Sequence, residues 1–266
     1  MKYERWGEVY LLRPDPQVIW PYFKEPDRVD GIYRRSDKGG GAWSFPGRVP
    51  QSWTVSRKGL TFKIKPMGFK HTGLFPEQAA NWDWMSGLIE RAQRPVKVLN
   101  LFGYTGGATA ALAQAGAAVV HVDAAKNMVA QGRENLALSG LEDKPVRWIV
   151  DDCRKFAERE IRRGNKYDGI IMDPPSYGRG PSGQIWKLED ELYPFVSLCM
   201  NVLSDNPLFI LINSYTTGLQ PLVLYNILTK LTKNLGGRVD AQEVGLPVTR
   251  GGIILPCGAS GRWQKD

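Results

Sequence analysis

The residues with most chemistry to offer stand where apolar runs end. In YDGIIMDPPSYGRG, the run GIIM delivers Asp173, Pro174 and Pro175. Proline fixes its own φ and restricts the residue before it, so this makes a rigid corner that aims the Asp173 carboxylate and nearby carbonyls beyond the strand. Such a corner suits an acceptor nitrogen. Tyr177 follows closely enough to stack on a base presented there, as aromatic groups commonly do for unstacked nucleobases. An isolated Asp-Pro-Pro is more often only a turn, and its place after a fourth strand is what favours a site.

A second stretch, NLFGYTGGATAALAQAGAAVVHVD, reads as strand, glycine loop, alanine-rich helix and strand. In open parallel sheets ligands sit beyond the C-terminal strand ends, which is where this loop must lie. A dinucleotide site wants G-x-G-x-x-G. Counting from Gly103 places Thr105 at the second glycine position, and counting from Gly106 places Ala108 there. S-adenosylmethionine carries no phosphate and needs only a tight turn, close backbone approach and polar groups. Asn100, Phe102, Gly103, Tyr104, Thr105, Gly106 and Gly107 are its candidate contacts on the first strand and loop. Asp123, with Ala124 after it, closes the second strand twenty residues beyond Gly103, where a carboxylate accepts from both ribose hydroxyls. Dinucleotide and S-adenosylmethionine sites share that requirement. Asp151 and Asp152 end the third strand beside Cys153. An acid there suits an adenine amino group, and one aspartate also suits the cap of the following helix.

Positioning these residues takes an α/β scaffold. Strands are expected at 97–102, 118–123, 146–151, 167–173 and 208–213. Helices are expected at 106–115, 125–138, 152–163, 187–203 and 218–235, with two last strands near 238–245 and 252–257. Such alternation specifies a parallel sheet covered on both faces, and the final pair, with no helix between them, an antiparallel edge hairpin. The expected fold is a class I methyltransferase (Rossmann-like) layout, with a seven-stranded mostly parallel sheet ending in that hairpin. Residues 1–70, rich in Pro, Gly and Trp, read as a small mostly-β domain with a possible substrate-binding role. They include a hairpin, SWTVSRKGLTFKI, turning around Arg57-Lys58-Gly59. Trp6, Trp20, Trp43 and Trp53 are read as core rather than base-stacking residues. Residues 71–266 form the catalytic domain, entered by a helix from Pro76 that puts Trp82, Met85 and Ile89 on one face.

Composition narrows the class. The 266 residues carry a formal charge of +8, which fits a polyanionic partner without demanding one. Three cysteines without CxxC spacing argue against a disulfide framework or a zinc site, and no metal is called for. The N-terminus lacks the apolar core of a signal peptide and no run reaches 18 apolar residues, so the expected location is the cytoplasm and no membrane partner is expected.

Taken together, KHTGLFPEQ, NLFGYTGG, VDAAKNMVAQGRENLALSG, the Asp151-Asp152 pair, DPPSYG and NSYTTG resemble the S-adenosylmethionine-dependent ribosomal RNA methyltransferases, the group with the bacterial large-subunit cytosine-5 and guanine enzymes. The resemblance spans roughly residues 70–257. It implies that Phe75 and Gln78 help enclose the cofactor, that the 103–107 loop and Asp123 bind it, and that Asp173 to Tyr177 face the acceptor. It implies RNA, ribosomal RNA or a ribosomal particle, as the partner. The tail LPCGASGRW is similar to a subgroup of bacterial relatives whose substrate the resemblance does not settle.

One departure bears on chemistry. Cytosine-5 methylation needs a thiolate to add to the base, and no cysteine follows the fourth or fifth strand here. Cys153, Cys199 and Cys257 read as structural thiols, so a base nitrogen is the expected acceptor. Alternatives are a protein or small-molecule acceptor, a nicotinamide-dependent oxidoreductase, and a binding module without transfer. His71 reads as structural or cofactor-side, and Lys187 as equally a substrate contact or a solvated helix start. The basic residues from Arg154 to Lys166 interleave with acids and read as a solvated helix face.

Overall fold

A computed structural model describes residues 1–36, 40–68, 70–179 and 185–266, Arg179 by its backbone alone. The central sheet begins after a 3-10 turn, Pro76–Gln78, and helix α1 (Ala79–Ala92). Its first half comprises β7 (Lys97–Leu101), α2 (Gly107–Gln114), β8 (Ala118–Asp123), α3 (Lys126–Leu138), β9 (Val146–Val150) and α4 (Cys153–Arg162). Its second half comprises β10 (Gly169–Met172), α5 (Leu188–Met200), β13 (Phe209–Ser214), α6 (Pro221–Thr232), β14 (Arg238–Pro247) and β15 (Ile254–Gln264).

The order across the sheet is β14-β15-β13-β10-β7-β8-β9, with β13 through β9 parallel and β15 antiparallel to both β13 and β14. From β7 the chain builds outward one way through β8 and β9 and the other way through β10 and β13. The order therefore reverses between β7 and β10, and a crevice opens above that point. The register Ile171↔Asn100 and Met172↔Leu101 brings Asn100 and Asp173 to it together. β10 at its edge and the adjacent β13 are buried throughout, as their continuous apolar runs require of a sheet covered on both faces.

The expected mostly parallel sheet with its terminal hairpin is present, and one part of it is larger than expected. The last strand runs from Ile254 to Gln264, so LPCGASGRW lies inside the sheet rather than beyond it. Its glycines hide the strand from pattern reading, yet Gly261 is required where it stands: a Cβ there would meet Leu224 Cβ at 2.7 Å. A short hairpin of β11 (Tyr177–Arg179) and β12 (Ile185–Lys187) was not foreseen from the sequence either.

Ahead of the sheet stand β1 (Lys2–Trp6), β2 (Val9–Arg13), β3 (Gly31–Arg35) and β4 (Gly41–Ser44), side by side in that order. The expected hairpin follows as β5 (Trp53–Arg57) and β6 (Leu60–Ile64), turning through Lys58 at φ 49° and Gly59 at φ 82°. Trp6 is buried with Val9, Leu11 and Ile64 while Trp43 and Trp53 pack beside them, as core residues should; Trp20 stays half-exposed. The hairpin itself packs on the helices of the central sheet. Leu60 and Phe62 share a core with Trp82, Leu112 and Leu136, and the Lys63 N–H donates to Asn135 Oδ1 at 2.8 Å.

Candidate active site

The crevice at the switch point is lined by Phe75 and Gln78 before α1, by Asn100, Phe102, Gly103, Tyr104 and Thr105, by Gly107 opening α2, and by Asp173 after β10. The sequence therefore found most of one wall. The loop is held from beneath. Asn100 Nδ2 donates to Thr109 Oγ1 at 2.9 Å, which in turn sits 2.9 Å from His121 Nδ1. Burial of His121 pushes its imidazole down to about 3, keeping it neutral at working pH. Gly103 rests directly on that ring: a Cβ would come within 2.4 Å of it. Phe102 and Tyr104 adopt φ of 57° and 50°, backbone strain of a kind that clusters at functional sites.

Asp123 closes β8 beside the loop. One of its oxygens accepts from the Tyr104 N–H at 2.9 Å and the other from the Ala125 N–H at 2.8 Å. Burial pushes its carboxyl up while these two bonds oppose that. A carboxylate offers about four lone-pair positions, so two remain for a vicinal diol. Ala124 follows in the turn, and Gly106, at φ 77°, caps α2 beneath the loop rather than facing the crevice. These groups and the surrounding apolar and amide surfaces of Leu74, Trp82 and Asn213 fit S-adenosylmethionine, which presents a diol, a flat purine and an amino-acid end.

The third strand end is set back from the crevice lining. Asp152 accepts from the Lys155 N–H at 2.9 Å and caps α4, while Asp151 accepts from the Asp152 N–H at 2.8 Å and ion-pairs with Arg159. The capping reading is thus satisfied at Asp152. Cys153 Sγ is buried behind the loop and accepts from the Phe102 N–H at 3.3 Å.

On the acceptor side, Asp173 has no cation beside it among the described residues. Burial, with the neighbouring Glu77 carboxylate, pushes it up to about 7. Pro174 is buried and Pro175 exposed. The corner is clamped from two directions: Trp186 Nε1 donates to Pro175 O at 2.7 Å, and Thr216 Oγ1 donates to Ser176 Oγ at 2.7 Å. Tyr177 is 52% exposed on β11. His71 lies edge-on to Phe75 with ring centroids 5.4 Å apart, and burial lowers its imidazole. Lys187 is exposed, paired in register with Tyr177. Arg154, Arg159 and Arg163 are engaged by Glu191, Asp151 and Glu160, in keeping with the solvated-face reading of α4.

The opposite wall was not singled out residue by residue. Asn213 lines the crevice, and Tyr215 Oη accepts from Gln78 Nε2 at 2.8 Å while its ring stands 5.5 Å from that of Phe75. Glu77, buried, takes a hydrogen bond from Tyr215. The signal was present in NSYTTG and FPEQ, but nothing local marks which of those side chains turn inward.

Comparison with known proteins agrees with this geometry. The family model described as S-adenosylmethionine-dependent methyltransferase matches residues 32–190. The crystal structure of a SAM-dependent methyltransferase from Agrobacterium tumefaciens superposes with a TM-score of 0.93 at 36% identity, covering 99% of this chain and 87% of that one. Among curated proteins, the ribosomal RNA large subunit methyltransferase K/L of Shewanella baltica is 35% identical over 121 residues, 45% of this chain and 16% of its own. That of Methylococcus capsulatus is 32% identical over 145 residues, 54% of this chain and 19% of its own. The chain thus spans less than a fifth of the length of these curated relatives. With a matching family model over more than half its length and a solved relative over nearly all of it, this chain belongs to the S-adenosylmethionine-dependent methyltransferase family.

Proposed function

We propose that this methyltransferase acts on a nitrogen of a base in ribosomal RNA, as a free strand or within a ribosomal particle, in the cytoplasm. The observation that carries the reading is Asp173, held by a rigid corner at the crevice with a carboxyl near neutrality and no thiol beside it. S-adenosylmethionine supplies an electrophilic methyl on a sulfonium. Asp173 accepts a hydrogen bond from the acceptor N–H, directs the nitrogen lone pair toward that methyl, and takes the proton as the N–C bond forms and the S–C bond breaks. Alignment and charge stabilisation of this kind need no covalent intermediate.

The thiols support nitrogen over carbon. Cys199 is fully buried in α5 and Cys153 lies behind the loop, and burial pushes Cys199 and Cys257 up to about 12. None is placed as a thiolate at the acceptor corner. For the partner, the names of the curated relatives and the charge of +8 favour RNA. Tyr177, exposed beside the corner, is the proposed stacking surface for the base. Nucleosides prepared from RNA methylated by the enzyme test the acceptor atom: an N-methylated base is expected on chromatography, and 5-methylcytidine would overturn the nitrogen assignment.

A further inference from the structure

Between α1, β13 and β15 the protein buries amides where hydrocarbon would ordinarily fill the space. Asn81 and Ser260 are fully buried and Asn213 nearly so. At the outer end of the cluster Arg262 lies over the Trp84 ring, 5.0 Å from its centroid. Its Nε and Nη2 both donate to Asn81 Oδ1, at 2.8 and 2.5 Å.

A guanidinium has no acceptor, so this contact fixes more than itself. Asn81 must turn its oxygen to Arg262 and its nitrogen inward, where Nδ2 donates to Gln78 Oε1 at 2.7 Å and to Ser260 Oγ at 2.8 Å. Gln78 Oε1 also accepts from Asn213 Nδ2 at 3.1 Å, and Ser260 Oγ donates to Asn213 Oδ1 at 2.7 Å. With its oxygen so occupied, Gln78 must face its nitrogen the other way. Nε2 donates to Tyr215 Oη at 2.8 Å, and the tyrosine hydroxyl donates onward to Glu77. Every bond from Arg262 to Glu77 therefore runs in one direction, and Gln78 keeps one N–H beyond the bond to Tyr215.

We propose that Arg262 is a positioning residue for the cofactor: by donating only, it sets the direction of this buried chain and so holds the Gln78 amide with its spare N–H for an acceptor atom on the bound cofactor. Arg262 is paired in register with Leu211 of the crevice lining, but its guanidinium reaches the cofactor side only through Asn81. It acts through Asn81, across 181 residues of sequence.

Reversing the chain without removing it tests this. Asn81→Asp keeps an acceptor for Arg262 but turns the 2.7 Å contact with Gln78 Oε1 into oxygen against oxygen, which outweighs the longer 3.1 Å bond from Asn213 Nδ2, so the Gln78 amide turns round. Calorimetric titration with S-adenosylhomocysteine is expected to show about a tenfold weaker affinity, the loss of roughly one hydrogen bond, with a melting temperature no lower than wild type. Arg262→Lys, still only a donor, should bind close to wild type. Arg262→Glu, which can only accept, should weaken binding as Asn81→Asp does. A folded Asn81→Asp protein with unchanged affinity would overturn the proposal, and so would equal losses in Arg262→Lys and Arg262→Glu. Because the readout is binding without transfer, the outcome is independent of the acceptor and of the RNA reading.

Discussion

One wall of the crevice is built of backbone and the other of amides. On the β7–β8 side, the loop from Phe102 to Gly107 is a tight turn braced by Asn100, Thr109 and His121, with Asp123 fastened to two of its own neighbours' N–H groups. On the β13–β15 side, Gln78, Asn81, Asn213 and Ser260 meet from four elements and satisfy one another. The first wall depends on the absence of side chains and fails by addition. The second depends on the direction of each donor and fails by a change of one atom.

The largest effect separates both walls from the acceptor corner. Asp173→Ala should cut methyl transfer by ~10²–10⁴-fold, the usual contribution of a positioned general base, while calorimetry shows cofactor affinity unchanged. Next, Gly103→Ala breaks the backbone wall by a single methyl. It would press on a His121 ring that has no room to retreat, so a loss of ~1–3 kcal/mol in stability is expected from overpacking, measured by denaturant unfolding and accompanied by loss of cofactor binding.

The titration of Asp173 follows in size. Its folded carboxyl stands near 7, above its ordinary value of 3.8, so the folded state binds the proton more tightly. Stability from this group is complete below about pH 4 and declines as pH rises through about 7, because the native state holds the extra proton in that window. Asp173→Asn should thus melt higher than wild type at pH 8 and lose that advantage in acid, whereas the kcat/KM of wild type should climb through pH 7. The smallest effect is at the set-back strand end: Asp152→Ala should cost about 1 kcal/mol, the typical value of a helix N-cap, and leave cofactor affinity intact.

The same contrast explains what could be read in advance. Gly103, Asp123 and Asp173 announce themselves because each needs only its place at a strand end, and strand ends follow from local periodicity. The parallel order of the sheet was legible for the same reason. Asn81 and Ser260 are unremarkable in sequence, one within a helical pattern and the other within GASG, and they become partners only once β15 is laid against β13. That strand was under-read at its glycines, where close approach rather than flexibility is the cause: α6 at Gly261, and Ser214 O with the Tyr215 ring at Gly258. Asp151 and Asp152 show one spacing serving two readings: Asp152 makes the cap, and the adenine contact stays a proposal for Asp151.

The most direct test of the central claim is transfer of labelled methyl from S-adenosylmethionine into ribosomes and extracted ribosomal RNA from cells lacking the enzyme, with Asp173→Ala as control. The account predicts label that depends on Asp173, is released by ribonuclease and survives protease. Label released by protease instead would contradict it and move the acceptor to a protein side chain.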